Sequence, residues 1–173
     1  MKNNMNSTYL RRLGTFCAGC ALTIAALSGG STAAIAGEKR NTIAYRIMEL
    51  QQSTQRWIEI DLSRQKLIAW EGNKSVYAVF ISSGKSSTPT RTGTFAIQTK
   101  HPIARMTGPD YDVPDVPYTM YYDGGMAIHG AYWHNLFGTP VSHGCTNVAV
   151  NHAKWLFNWA SVGTAVVVHK SEI

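Results

Sequence analysis

Cys145 sits in Ser142-His143-Gly144-Cys145, and it is the only one of the chain's three cysteines that lies beyond residue 20. A lone thiol beside one histidine, with a second, His129, closing the apolar run Met126 to Ile128, combines a nucleophile with candidate bases. A thiol attacks carbonyls as its thiolate, and the free pKa of about 8.5 must be lowered by a nearby cation or helix N-terminus. Either His129 or His143 can supply that cation as an ion pair. The base in turn needs an orienting group, for which a backbone carbonyl or the Ser142 hydroxyl is available. Gly144 lets the backbone approach a substrate closely, so the amides of Gly144 and Cys145 are candidate oxyanion donors.

Other readings of these residues are blander. A buried cysteine is usually inert packing, but the Ser-His-Gly context and the upstream His129 argue against that here. His129, His134, His143 and Cys145 could offer four zinc ligands, yet their spacing matches no common zinc motif, and no metal or cofactor is expected. His134 and His152 read as surface or structural histidines, and His101 and His169 have no chemical context. Tyr132, Trp133 and Phe137 follow His129 closely and either line a substrate groove or pack between loop and sheet.

The N-terminus sets the compartment in which such a thiol would work. Lys2, Arg11 and Arg12 precede the uncharged apolar run Leu13 to Leu27, and Ala34-Ile35-Ala36 has the small residues of a cleavage site before Gly37. Residues 1–36 therefore read as a cleaved signal peptide and the protein as exported, to periplasm or cell wall; an uncut membrane anchor is the alternative. A twin-arginine signal at Arg11-Arg12 and a lipoprotein site at Cys20 fit less well. The formal charge of +6 includes those three cations, so it halves on cleavage. What remains is mildly cationic, suited to an anionic wall or membrane surface and giving no case for nucleic acid. Removal of Cys17 and Cys20 also leaves Cys145 without a disulfide partner in its own chain.

Residues 37–173 suffice for one compact domain, assumed monomeric, with no second apolar segment long enough to span a bilayer. Residues 37–54 are polar and weakly periodic and read as an N-terminal arm or linker; the domain proper is placed at 55–170. Trp57 to Leu62 alternates as a half-buried strand, Lys66 to Trp70 is a second, and Glu71 to Lys74 turns into a third over Ser75 to Ser82. Ser83 to Thr92 is a loop, and Gly93 to Thr99 is a strand. Pro102 to Pro117 carries four of the six prolines and reads as a long irregular excursion. Tyr118 to Tyr122 and Met126 to His129 form a hairpin about Asp123-Gly124-Gly125. Asn151 is a candidate N-cap for a helix whose Ala153, Leu156, Phe157 and Ala160 share a face, with Trp155 and Trp159 packing on its flank. Gly163 ends it before a last strand over Thr164 to His169. The fold class is mostly β, with one helix near the C-terminus.

Ile128-His129-Gly130 followed by Ser142-His143-Gly144-Cys145-Thr146-Asn147 resembles the signature of the L,D-transpeptidase (YkuD-like) catalytic domain. Ile60 to Leu67 is similar to that family's opening hairpin. Ser82-Ser83-Gly84-Lys85 with Thr88-Pro89-Thr90-Arg91-Thr92-Gly93-Thr94-Phe95 resembles a further segment of it. The twelve residues between His129 and Ser142 are slightly fewer than is commonest, and Gly130-Ala131-Tyr132-Trp133-His134 resembles a short-loop branch. Thr146 stands where an aliphatic residue is usual.

The resemblance implies a mixed β-sandwich or barrel-like fold and an exported enzyme that crosslinks peptidoglycan stem peptides. By position, Cys145 would be the nucleophile and His129 the general base. His143, Ser142 and Gly144 would shape the thiolate and oxyanion environment. Asn147, Tyr132, Trp133 and Gly130 would meet substrate or support the loop. The reaction implied is attack on a stem tetrapeptide, loss of the terminal D-alanine, and transfer of the thioester to an amine, giving a 3→3 crosslink. Water as acceptor would make an L,D-carboxypeptidase, a free D-amino acid an exchange enzyme, and a protein lysine an anchoring enzyme. A non-catalytic peptidoglycan-binding module is the reading from another class.

Overall fold

The computed structural model describes residues 32–170, with side chains from Thr42 onward. The apolar run Leu13 to Leu27, Arg11-Arg12 and Cys20 lie outside the described residues. Among those described, no helix is long and apolar enough to cross a membrane.

Alternation builds the first sheet. In β1 (Arg56–Asp61), Ile58 and Ile60 enter one buried cluster and Trp57 a second, on the opposite face. β1 pairs antiparallel with β2 (Lys66–Glu71), and β2 with β3 (Lys74–Phe80). On its other side β1 pairs in parallel with the last strand, β9 (Ala165–His169), which pairs antiparallel with β4 (Gly93–Ala96). Every residue of β9 is buried, as its unbroken apolar run Ala165 to Val168 requires of a strand covered on both faces.

One cover of that strand was not expected. The segment read as an arm or linker is helical: α1 spans Thr32–Gln51 and buries Ile43, Ile47 and Leu50 against Trp57, Ala165 and Val167. Those three residues recur at i, i+4 and i+7, a stripe short enough to be lost among polar neighbours. The candidate cleavage site before Gly37 falls within α1.

The second sheet runs β5 (Thr99–Gly108), β6 (Tyr111–Asp123), β7 (Met126–Gly130) and β8 (Thr146–Val148). β7 and β8 are parallel, with His129 opposite Asn147. The proline-rich stretch is a correction: Pro102 to Pro117 is a long antiparallel hairpin, not an irregular excursion. Its prolines are tolerated because β5 is an edge strand, and β6 pairs with β7 only from Met120 onward. The projecting half is two-stranded, with a register shift between Ala104 and Met106 and positive φ at Asp115 and Tyr118.

The two sheets and α2 (Val150–Trp159) close on one core of Ile58, Ile60, Leu67, Met120, Ile128, Val148, Leu156, Val166 and Val168. Asn151 is not the cap of α2. Ala149 holds that position with extended backbone and no side-chain bond, and Asn151 lies in the first turn. The C-terminal end is satisfied instead by Lys100, whose ammonium donates to the carbonyls of Phe157, at 2.6 Å, and Ala160. Trp155 stacks on Tyr77 at 4.0 Å and on Trp159 at 5.7 Å, so both tryptophans are packing residues.

Candidate active site

The turn that carries Cys145 is held from beneath by the segment Ser82 to Thr90. Ser82 and Asn147 exchange backbone hydrogen bonds of 2.9 Å, and the Ser83 carbonyl accepts from the amides of Val141 and Ser142 at 2.9 and 3.0 Å. The Ser142 carbonyl accepts from the Lys85 amide at 3.0 Å and the Thr88 hydroxyl at 3.1 Å. Thr90 is a relay: its hydroxyl accepts from the Gly84 amide and donates to the Gly144 carbonyl, both at 2.8 Å. Beneath these, the Gln65 amide bonds the backbone and hydroxyl of Ser83 at 2.9 and 2.8 Å. Two glycines are obligatory here. Gly144 has φ +120, which side-chain-bearing residues rarely adopt, and a Cβ on Gly84 would lie 2.1 Å from the Thr88 carbonyl oxygen.

Three side chains share one face of the second sheet. His129 and Asn147 are register partners on β7 and β8, and Cys145 precedes Asn147 by two residues. The period of two therefore aims all three the same way. They open into one cavity of about 270 Å3, lined also by Met106, Tyr111 and Val113 of the β5–β6 hairpin and by Trp133, His134, Ser142 and His143. Sequence spacing brought His143 nearest to Cys145; the sheet brings His129 to the same cavity from sixteen positions upstream.

His129 is 2% exposed. Its Nδ1–H donates to the Gly130 carbonyl at 3.2 Å, which leaves the Nε2 lone pair as the basic site. Burial pushes its pKa down to about 4. The Trp133 ring lies against it, with centroids 5.8 Å apart and planes 28° apart. Burial pushes the Cys145 thiol up, with the Ala127 backbone amide working weakly the other way. The thiol donates to the Gly125 carbonyl at 3.6 Å. Both shifts run toward the neutral forms, so this desolvation works against the thiolate–imidazolium pair expected from the sequence.

The supporting residues are also redistributed. Ser142 does not orient a base: its hydroxyl donates to the Cys145 carbonyl at 2.5 Å and accepts from the Gly144 amide at 3.1 Å. The Gly144 amide is thereby engaged and is not an oxyanion donor in this arrangement. His143 lies at the mouth, its ring 4.6 Å from that of Tyr111. Its Nε2 is 3.1 Å from Asp110 Oδ2 and 3.2 Å from Lys85 Nζ. One nitrogen cannot serve both at once: a hydrogen there donates to Asp110, and a lone pair there accepts from Lys85.

Of the candidate substrate residues, Asn147 and Trp133 line the cavity, whereas Tyr132 and Gly130 do not. The Tyr132 hydroxyl donates to the Pro114 carbonyl at 2.7 Å and ties the loop to β6. Gly130 is a packing glycine, where a Cβ would meet Pro117 Cγ at 2.9 Å. The sequence placed Thr90, Ser83 and Gln65 in segments resembling the family but gave them no role, whereas their hydrogen bonds carry the turn, and it set His134 aside as structural although it lines the cavity. A threonine and glycines within a Ser/Thr-rich loop were the available signal. His152 is bonded to the Tyr77 hydroxyl at 2.7 Å, away from the site, as expected of a structural histidine. Among the described residues no group of His, Cys, Asp and Glu is arranged to hold a metal.

Known proteins are similar to this chain in sequence and fold. L,D-transpeptidase 2 of Mycobacterium tuberculosis is 32% identical over 99 residues, covering 50% of this chain and 24% of that protein. A cysteine-to-serine mutant of the Enterococcus faecium L,D-transpeptidase superposes with a TM-score of 0.64 at 32% identity, covering 68% of this chain and 50% of that one. The isolated catalytic domain of the E. faecium enzyme superposes at 0.62, also at 32% identity, covering 67% of this chain and 98% of that domain. The chain thus spans a quarter to a half of the longer relatives and nearly all of a catalytic domain. The L,D-transpeptidase catalytic domain (YkuD) matches residues 55–168, and the chain belongs to that family of enzymes.

Proposed function

We propose that this domain is a cysteine-dependent L,D-transpeptidase acting on peptidoglycan stem peptides outside the cytoplasm, with the N-terminal segment as its export signal. The observation that carries the reading is the shared cavity of Cys145 and His129, with His129 Nδ1–H committed to the Gly130 carbonyl and Nε2 left as a base. A relative, Ldtfm, has been solved as its carbamoyl enzyme with avibactam, which is consistent with an acyl-accepting nucleophile in this family.

The steps follow from the resting protonation states. Cys145 attacks the carbonyl that joins the third and fourth residues of a stem tetrapeptide, and its proton passes to His129 Nε2 as the C–S bond forms. The C–N bond then breaks, D-alanine leaves with that proton, and a thioester remains. An acceptor amine gives a proton to His129, forms the new amide and returns the sulfur as thiol. Because both partners start neutral in a buried site, no charged pair has to be desolvated before substrate arrives. Transition-state charge on the substrate oxygen calls for donors other than the Gly144 amide; His143 and the Cys145 amide, both on cavity-lining residues, are the candidates.

The test is incubation of the protein with a purified disaccharide-tetrapeptide, with products read by mass spectrometry and Cys145→Ala as control. A dimer lacking one D-alanine supports 3→3 crosslinking, and a tripeptide supports carboxypeptidase chemistry. Absence of turnover together with absence of carbapenem acylation at Cys145 would leave only a binding module.

A further inference from the structure

His134 has both ring nitrogens occupied, and the pattern determines its tautomer. The Leu136 backbone N–H donates to Nδ1 at 3.1 Å, so Nδ1 carries a lone pair. Burial lowers the pKa of His134 and keeps the ring neutral, which puts its proton on Nε2. That nitrogen lies 2.8 Å from Asn147 Nδ2, an arrangement that sets two donors against each other. The N–H is satisfied only by the amide oxygen, so the amide is assigned the opposite way round, with Oδ1 toward His134. The NH2 end then points away from His134. No other protein group among those described bonds the Asn147 amide, which is 3% exposed and borders the cavity. Asn147 shares its sheet face with Cys145 and His129, and its backbone is clamped by Ser82 on both sides of the peptide. The main freedom left to that side chain is which end of its amide faces the cavity.

We infer that His134 is a positioning residue, fixing the Asn147 amide so that its NH2 group faces the cavity as a donor to an acyl carbonyl oxygen of the substrate bound beside Cys145. The inference rests on the transpeptidase reading for the identity of that oxygen, but the tautomer and the amide orientation do not depend on it. A flipped amide would present an oxygen to an incoming carbonyl, two acceptors facing each other.

The rate of Cys145 acylation by imipenem, followed by intact mass, tests the inference through four variants. His134→Gln keeps an N–H near the position of Nε2, and acylation should stay within a few-fold of the wild type. His134→Asn keeps only an acceptor for the Leu136 amide, and acylation should fall by roughly 10- to 100-fold, the scale of a misplaced reacting-site group. Asn147→Asp, which accepts from His134 but offers no donor, should fall at least as far. In an Asn147→Ala background, His134→Asn should cost nothing more, since it acts only through the amide. Additive losses, or His134→Gln behaving like His134→Asn, would overturn the inference. Independently, 15N spectra of histidine side chains should show His134 as the neutral Nε2–H tautomer near pH 7; the Nδ1–H tautomer would overturn it even in an inactive protein. An unacylated wild type with the expected tautomer would instead count against the transpeptidase reading.

Discussion

The two walls of the cavity are built on opposite principles. The wall beneath Cys145 is a set of short, buried hydrogen bonds linking Gln65, Ser83, Gly84 and Thr90 to Ser142 and Gly144. The opposite wall is the projecting half of the β5–β6 hairpin, mostly exposed and only two strands wide. It meets the site through Met106, Tyr111 and Val113, and through Asp110 reaching His143. Buried polar networks are costly to break because each loss orphans a desolvated group. Exposed ion pairs such as Arg105–Asp112 are screened and contribute little. Cys145 is therefore placed by the wall that cannot yield, and the other side of the cavity is bounded by the wall that can.

The sharpest break in this comparison is at the base. His129→Gln removes the Nε2 lone pair from the rigid side and should lower kcat/KM by about 10²- to 10⁴-fold with the fold retained by circular dichroism. Retained activity would move the base to His143, which sits in the Cys145 turn and meets the yielding wall through Asp110. Next in size is the relay at Thr90. Thr90→Val leaves the Gly84 amide and Gly144 carbonyl unpaired in the interior, costing about 1–3 kcal/mol for each group in urea unfolding. Acylation of Cys145 should fall with it, because the turn loses its support.

The pH dependence follows from burial of His129. Its pKa in the folded chain is about 4, below the ordinary imidazole value. The unfolded chain therefore binds the extra proton first as pH drops, so stability is fully present above about 6.5 and declines down to about 4. For this one group the decline is on the order of 3 kcal/mol, measurable as the urea midpoint against pH, and His129→Gln should flatten it. The acid limb of kcat/KM should likewise lie below pH 6; a limb at or above 6.5 would show that burial does not depress the His129 imidazole. The smallest effect is expected on the yielding wall. Arg105→Ala and Asp112→Ala should leave the thermal midpoint and the acylation rate unchanged within error, and a large loss in either would mean that the hairpin carries load.

How much of this could be read in the chain depends on the range of the cause. Ile58 and Ile60 alternating, the apolar run of β9, the hairpin at Asp123-Gly124-Gly125 and the helical stripe of α2 are short-range patterns, and they appear where expected. The proline-rich stretch misled because proline forbids a strand only where a partner needs its N–H, and the open flank of β6 removes that need. Residues 37–54 misled because Ile43, Ile47 and Leu50 make a helix worth forming only when Trp57 and Val167 present a face to cover. Asn151 has the residue type of a cap, yet Lys100 and the Ala149 backbone decide the ends of α2.

The sequence by itself determined the chemistry on offer: a lone thiol, two histidines at informative spacings, and a glycine beside the thiol where the backbone can come close to a substrate. Those follow from residue type and local backbone sterics. Only the tertiary structure decided the roles. Parallel pairing of β7 with β8 put His129, Asn147 and Cys145 on one face, burial pushed the imidazole and the thiol toward their neutral forms, Ser142 took the Gly144 amide, and His134 moved from bystander to the partner of Asn147. Desolvation and hydrogen-bond assignment depend on which distant segments close over a group, and no local spacing encodes that.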